Sequence, residues 1–258
     1  MKWIVLGTWI AAILFAHLRG RVRLPLGRQL LDHSIILAPI NAFMVLTSRV
    51  PTTPYIPNDT MPELKLLEDN WETIRDEALH LASLREIKAP ELHNDIGFNS
   101  FFKYGWKRFY LKWYDAKHPS AVALCPKTVA LLNQIPSVKA AMFAELPPGG
   151  QLNPHRDPFA GSLRYHLGLA TPNDDLCYID VDGIRHSWRD GKASFSMKPI
   201  STMPITRASK IASFYFATSN AHLNGAGPSG STTGLAKSPC PLQVRPMPKP
   251  IRQASSIN

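Results

Sequence analysis

Residues 146–193 constrain this chain more than any other stretch. They read as short extended segments separated by tight turns. Residues 137–146 form a strand pattern that runs into Leu-Pro-Pro-Gly-Gly, where Gly149 and Gly150 allow a sharp change of direction. Next comes His155-Arg156-Asp157, then Leu163-Arg164-Tyr165-His166-Leu167, and finally Val181-Asp182-Gly183 and Trp188-Arg189-Asp190-Gly191. On an extended segment, residues two apart point to one face. His155 and Asp157 therefore converge, as do Arg164 and His166. An imidazole and a carboxylate at this spacing are two-thirds of the facial 2-His-1-carboxylate set that holds Fe(II) with positions left open. The same residues also suit an ordinary surface or core role, and His-x-Asp alone does not decide between them. His186 and Asp182, beside the second turn, read as surface residues.

The net charge of +10 belongs mainly to one end of the chain. From residue 194 onward there are seven Lys/Arg and no Asp or Glu. The remainder is close to balanced, so the overall charge does not call for a nucleic-acid partner. Cys125, Cys177 and Cys240 are few, odd in number and far apart, which implies neither a disulfide framework nor a cysteine-based zinc site. A reducing compartment follows.

Residues 3–18 are almost wholly apolar, and Arg19, Arg21, Arg23 and Arg28 follow directly. As a helix this run spans about 24 Å, slightly short of a bilayer core of roughly 30 Å. The basic cluster favours the cytoplasm for its C-terminal side. A cleaved signal peptide is the alternative, but the segment before the apolar run holds only Lys2 and no small-residue cleavage site precedes the arginines. A second apolar run at 35–46 is too short to span. It reads either as interfacial or as packed on the domain.

Residues 51–62 carry four prolines and read as a linker. Leu64, Leu67, Trp71, Ile74 and Ala78 recur at helical spacing, predicting an amphipathic helix that ends near Ser83. Residues 98–114 are dense in aromatic and basic side chains. They suit a half-buried strand with solvated lysines, or a surface for an anionic amphiphile. Residues 126–134 predict a short helix with Pro126 in its first turn.

The pattern His-Arg-Asp-Pro-Phe, Leu-Arg-Tyr-His-Leu-Gly-Leu, Val-Asp-Gly and Trp-Arg-Asp-Gly resembles the aspartyl/asparaginyl β-hydroxylase family, and within it the bacterial lipid A hydroxylases. The resemblance runs nearly continuously to about Ala193. It implies a mainly β fold, a double-stranded β-helix of jelly-roll or cupin type with an N-terminal membrane-anchor helix and flanking helices. It implies Fe(II), 2-oxoglutarate and O₂, and hydroxylation of an acyl chain of lipid A at the inner membrane, with the catalytic domain on the cytoplasmic side. No nucleic acid and no protein partner is inferred. By resemblance, His155 and Asp157 match the iron ligands, while Arg164 and His166 match contacts to 2-oxoglutarate. The organisation expected is an anchor at 1–24, a juxtamembrane segment and linker at 25–62, an incomplete hydroxylase domain at 63–193 and a largely disordered tail at 194–258.

The family pattern continues with Phe-Asp-Glu-(Thr/Ser)-x-x-His, whose histidine completes the iron site, and ten residues later with an arginine for 2-oxoglutarate. Neither is present. The only later histidine, His222, precedes a Gly/Ser/Pro-rich tract. A one-base shift of frame near residues 193–195 accounts for the change. Codons read from their third base are compatible with Phe-Asp-Glu-Thr-Tyr-Ile-His. The Glu is forced by the overlap of Met197 and Lys198, and the His is allowed at Ser201/Thr202. The overlap of Ile211 and Ala212 allows an Arg ten positions after that His. On this reading the last strands are missing and the chain is a poor hydroxylase or an inactive membrane-associated remnant. The rival reading is a genuine, diverged C-terminus in which 210–218 passes as a strand.

Overall fold

A computed structural model describes residues 1–84 apart from 24, 26 and 28–32, then 87, 107–147 apart from 115 and 117, 149, 156–157, 159–197, 202–206 and 212–219. His155, the aromatic tract at 98–106, His222 and residues 220–258 lie outside these described residues.

The apolar N-terminal run forms helix α1 (Lys2–Arg19), 18 residues long and so about 27 Å. Among the described residues it is the one helix long and apolar enough to cross a membrane. Its first ten residues are exposed, and from Ala12 onward it is mostly half-buried. Helix α2 (Ala38–Leu46) packs on it, and the Trp9 indole donates to the Ile35 carbonyl at 3.0 Å. The second apolar run thus packs against α1 while leaving Ile36, Ile40, Phe43 and Leu46 exposed.

The expected helix over 64–83 is two helices, α3 (Lys65–Asp69) and α4 (Trp71–Ser83). They part at Asn70, whose side-chain amide donates to the Leu66 carbonyl at 2.8 Å, a local bond that competes with helical propagation. Ile74, Ala78 and Leu81 of α4 are fully buried in the core, each large side chain contributing about 1.5–3 kcal/mol of burial. Helices α5 (Pro119–Leu124) and α6 (Pro126–Asn133) follow, each opening on proline. The Glu77 carboxylate on α4 accepts from the Lys127 and Thr128 amides at 2.9 and 2.8 Å. It thereby satisfies donors at the start of α6 that have no partner within that helix.

The strands are β1 (Tyr55–Ile56), β2 (Lys107–Trp113), β3 (Val138–Leu146), β4 (Leu163–Ala170), β5 (Cys177–Val181), β6 (Ile184–Ser187), β7 (Ala193–Met197), β8 (Thr202–Thr206) and β9 (Ala212–Ser219). They make two antiparallel sheets, β1-β7-β4-β9-β3-β2 and β6-β5-β8. One core joins them, with Phe143, Tyr165, Leu167 and Phe195 from the large sheet and Cys177, Ile179 and Val181 from the small one. Cys125 and Cys177 are buried and unbridged. The mainly β expectation is met as two antiparallel sheets with flanking helices and an N-terminal apolar helix.

The expectation that the last strands are missing is corrected. β8 completes the small sheet, and β9 lies between β3 and β4 in the large one. Residues 212–219 read Ala-Ser-Phe-Tyr-Phe-Ala-Thr-Ser, rich in aromatic strand formers. Without β9 two long edges in mid-sheet would have unpaired backbone groups. Local β-propensity and those edges are met by residues 202–206 and 212–219; the rest of the expected tail beyond residue 197 lies outside the described residues.

Candidate active site

Strand β4 sorts its side chains by alternation. Leu163, Tyr165, Leu167 and Leu169 enter the main core, and Arg164 and His166 share the opposite face. Both faces are buried, with Arg164 8% and His166 6% exposed. The predicted pairing of Arg164 and His166 on one face is thus present.

Antiparallel register extends this face across the sheet, because residues directly opposite one another lie on the same side. Ser196 and Ser194 of β7 stand opposite Arg164 and His166. Through β9 the same rows reach Ala140, Met142 and Ala144 of β3. From β3 they reach Tyr110 and Arg108 of β2. The Arg108 guanidinium lies 4.9 Å over the Tyr110 ring. The face therefore combines small residues with two guanidinium groups, a neutral imidazole and a carboxylate.

The carboxylate is Asp157. Its Oδ2 lies 2.6 Å from Arg164 Nη2, and both side chains are about nine-tenths withdrawn from water. Two residues assigned by resemblance to different tasks, one to iron and one to the co-substrate, are here bound to each other. Burial lowers the Arg164 pKa, and the adjacent Asp157 charge opposes that shift. Burial, then the Arg164 and His186 charges, push His166 well below 6.5, so its ring is neutral at pH 7.

Trp188 closes the site beneath His166. The two rings stack with centroids 5.8 Å apart and 11° between planes, and Trp188 is 1% exposed. Gly168 makes this possible. A Cβ there would fall 2.1 Å from the Arg189 carbonyl oxygen, and the Gly168 amide donates to Lys192 O while its carbonyl accepts from Gly191. Gly191, at φ +67°, in turn leaves room for Trp71. The Trp-Arg-Asp-Gly segment thus works by close backbone approach to β4. The sequence marked the segment without giving Trp188 a role; Arg108 and Tyr110 stood out only as part of the aromatic and basic tract at 98–114, and Ser194 and Ser196 carried no signal.

Asp182 is corrected from a surface residue to a buried one, 5% exposed. It sits with Gly183 in a left-handed hairpin turn between β5 and β6, at φ 53° and 81°. Its carboxylate accepts from the Val22 amide at 2.9 Å, a contact from the far end of the chain. His186 is half-buried against Tyr55, ring centroids 5.5 Å apart.

For iron, the described residues do not make a complete donor set. Among them no cluster of three His, Cys, Asp or Glu occurs, and the one carboxylate on the face is held by Arg164.

The family model for aspartyl/asparaginyl beta-hydroxylase matches residues 68–196. An ornithine lipid ester-linked acyl 2-hydroxylase of Rhizobium tropici is 34% identical over 151 residues, covering 57% of this chain and 53% of that one. The aspartyl/asparaginyl beta-hydroxylase of Homo sapiens is 31% identical over 134 residues, covering 50% of this chain and 17% of that one. The chain thus spans about half the length of the first relative and a smaller part of the second. A Pseudomonas putida prolyl-4-hydroxylase structure superposes over 59% of this chain and 86% of its own at 14% identity, with a TM-score of 0.39.

Proposed function

This chain belongs to the aspartyl/asparaginyl β-hydroxylase family, and from that premise we propose that it descends from Fe(II)/2-oxoglutarate dioxygenases that hydroxylate an acyl chain of a membrane lipid, lipid A being the specific candidate. The observation that carries the reading is the water-excluded sheet face on which Asp157 meets Arg164 beside His166. The exposed apolar helix α1 supports a membrane lipid as substrate, as does the similarity to a lipid acyl 2-hydroxylase. Fe(II), 2-oxoglutarate and O₂ belong to this proposal, as does a catalytic domain on the cytoplasmic side of the inner membrane.

The chain's own residues supply positioning and a dry environment. Arg164 fixes the Asp157 carboxylate, and Arg108 adds a second cation that suits an anionic reactant. Neutral His166 offers one donor and one acceptor, its ring held by Trp188.

The absence from the sequence of the family's continuing Phe-Asp-Glu-(Thr/Ser)-x-x-His pattern favours a second reading for the chain as translated: a membrane-associated remnant, inactive because a frame shift after about Ala193 replaced the completing histidine and arginine. The end of the family match at residue 196 coincides with the start of the acid-free tail. Sequencing the gene across codons 190–200 tests the shift. A companion assay measures succinate release and hydroxylated lipid for the 258-residue chain and for a frame-restored version, each with Fe(II) and 2-oxoglutarate. Activity is expected only in the restored version. Comparable rates in both would refute the remnant reading, and silence in both would refute the hydroxylase reading.

A further inference from the structure

A cavity of about 290 Å³ lies where α1 and α2 meet the β domain. Phe15 and Val45 line its apolar side, and Arg19, Arg21, Arg156 and Asp182 its polar side. The lining carries three arginines against one aspartate, in a recess small enough for a headgroup but not for a whole lipid. Arg19 donates to the Thr52 carbonyl at 2.6 Å, and Asp182 is engaged by the Val22 amide, so the charged lining is held in place by backbone contacts. Arg156 is 7% exposed.

The surroundings point to the ligand class. Trp9 meets Ile35, while the cavity joins Phe15 and Arg19 to Asn41 and Val45. The two helices therefore run in the same direction and end together at the cavity. Away from it they leave Trp3, Ile10, Leu14, Ile40 and Phe43 exposed. An apolar helical pair that terminates beside three arginines matches the order of a lipid leaflet, acyl chains first and charged headgroups at the edge.

On the other side, Arg156 is adjacent in sequence to Asp157, which pairs with Arg164 on the candidate reactive face. Consecutive Cα atoms are about 3.8 Å apart. In a phospholipid the 2-position of an acyl chain lies a few bonds from the headgroup, so one residue of separation fits the two ends of that span.

We propose that this cavity binds the phosphate-bearing headgroup of an anionic membrane lipid whose acyl chain is directed past Arg156 toward the Asp157 face. As an account of substrate binding it rests on the lipid-hydroxylase reading; the binding itself needs neither iron nor 2-oxoglutarate.

Calorimetric titration of the full chain in zwitterionic detergent tests it, with dihexanoyl phosphatidic acid, dihexanoyl phosphatidylcholine and inorganic phosphate as separate probes. The expected result is one phosphatidic acid per chain, bound at least about tenfold tighter than either other probe, a difference of about 1.4 kcal/mol. R156Q lowers this affinity about tenfold, R156K restores part of it, and D182N raises it by removing the opposing charge. R21Q, at an exposed position, lowers affinity without depending on refolding of a buried site. Equal binding of phosphatidylcholine overturns the proposal, as does phosphate binding as tightly as the lipid, which marks a free-anion site. A loss of affinity in D182N with an unchanged melting temperature also overturns it. Headgroup binding with no hydroxylation by either this chain or the frame-restored version leaves this site standing and removes the enzymatic reading; hydroxylation by the restored version without headgroup selectivity does the reverse.

Discussion

Substituting Arg164 by methionine removes the charge while keeping most of the side chain's volume. The Asp157 carboxylate, 11% exposed and 2.6 Å from Arg164, is then left in a desolvated setting without its guanidinium. Breaking a buried pair in this way costs about 3–5 kcal/mol, because the remaining charge is uncompensated. D157N leaves the opposite charge stranded and costs a similar amount. The double substitution removes both charges and is expected to cost much less than the sum, since a buried pair gains little net energy over apolar or neutral groups of like shape. For a domain of this size, about 3 kcal/mol lowers the melting temperature by roughly 6–12 °C. The assay is a double-mutant cycle from urea denaturation of the full chain in detergent, with circular dichroism and tryptophan emission followed together. A coupling energy of about 2 kcal/mol or more is expected. Additive losses, or single substitutions costing under about 1 kcal/mol, would show that Asp157 and Arg164 do not depend on each other.

The Gly168→Ala substitution sets a Cβ against the Arg189 carbonyl at 2.1 Å, which is backbone and cannot swing aside. About 1–3 kcal/mol is expected to be lost, with a shift in Trp188 emission as the crossing segment moves; an unchanged spectrum and melt would contradict this packing. The protonation of His166 gives a pH test. Its folded pKa lies well below 6.5 because of burial and the Arg164 and His186 charges, so the unfolded chain takes up a proton first as pH falls. Stability is therefore full above about pH 6.5 and is lost on acidification below it, by about 1.4 kcal/mol per pH unit for this group. Urea midpoints from pH 7.5 to 5 read the slope, and H166Q should flatten it.

The parts of this fold set by nearest-neighbour patterning were legible in the sequence. Helical spacing located α4, and alternation placed Arg164 and His166 on one face, because both depend on periods of a few residues. The break at Asn70 was not legible, since it turns on one side-chain amide reaching one carbonyl. Nor was the position of β9. Residues 212–219 carry strand propensity, but their insertion between β3 and β4 is decided by two distant edges that need a partner. An average over 65 residues does not reveal an eight-residue strand.

The site shows the same division more sharply. Sequence spacing groups residues that share a strand, so it paired His155 with Asp157 and Arg164 with His166, whereas the structure couples across those groups and binds Asp157 to Arg164. Asp182 looked like the tip of a surface hairpin because its neighbours in sequence are turn residues. It is buried because the chain leaving α1 returns to it, Val22 donating across 160 residues. Arg156 stands between two environments. Read as the middle of His-x-Asp it is a spacer, since the two flanking side chains carry the expected chemistry. In the fold it lines the cavity beneath the apolar helices while its neighbour Asp157 belongs to the sheet face. A tripeptide that looked like part of a metal site thus joins two environments. Substitutions at 156 and at 157 should separate accordingly, the first acting on anionic-lipid affinity and the second on the integrity of the Arg164 face.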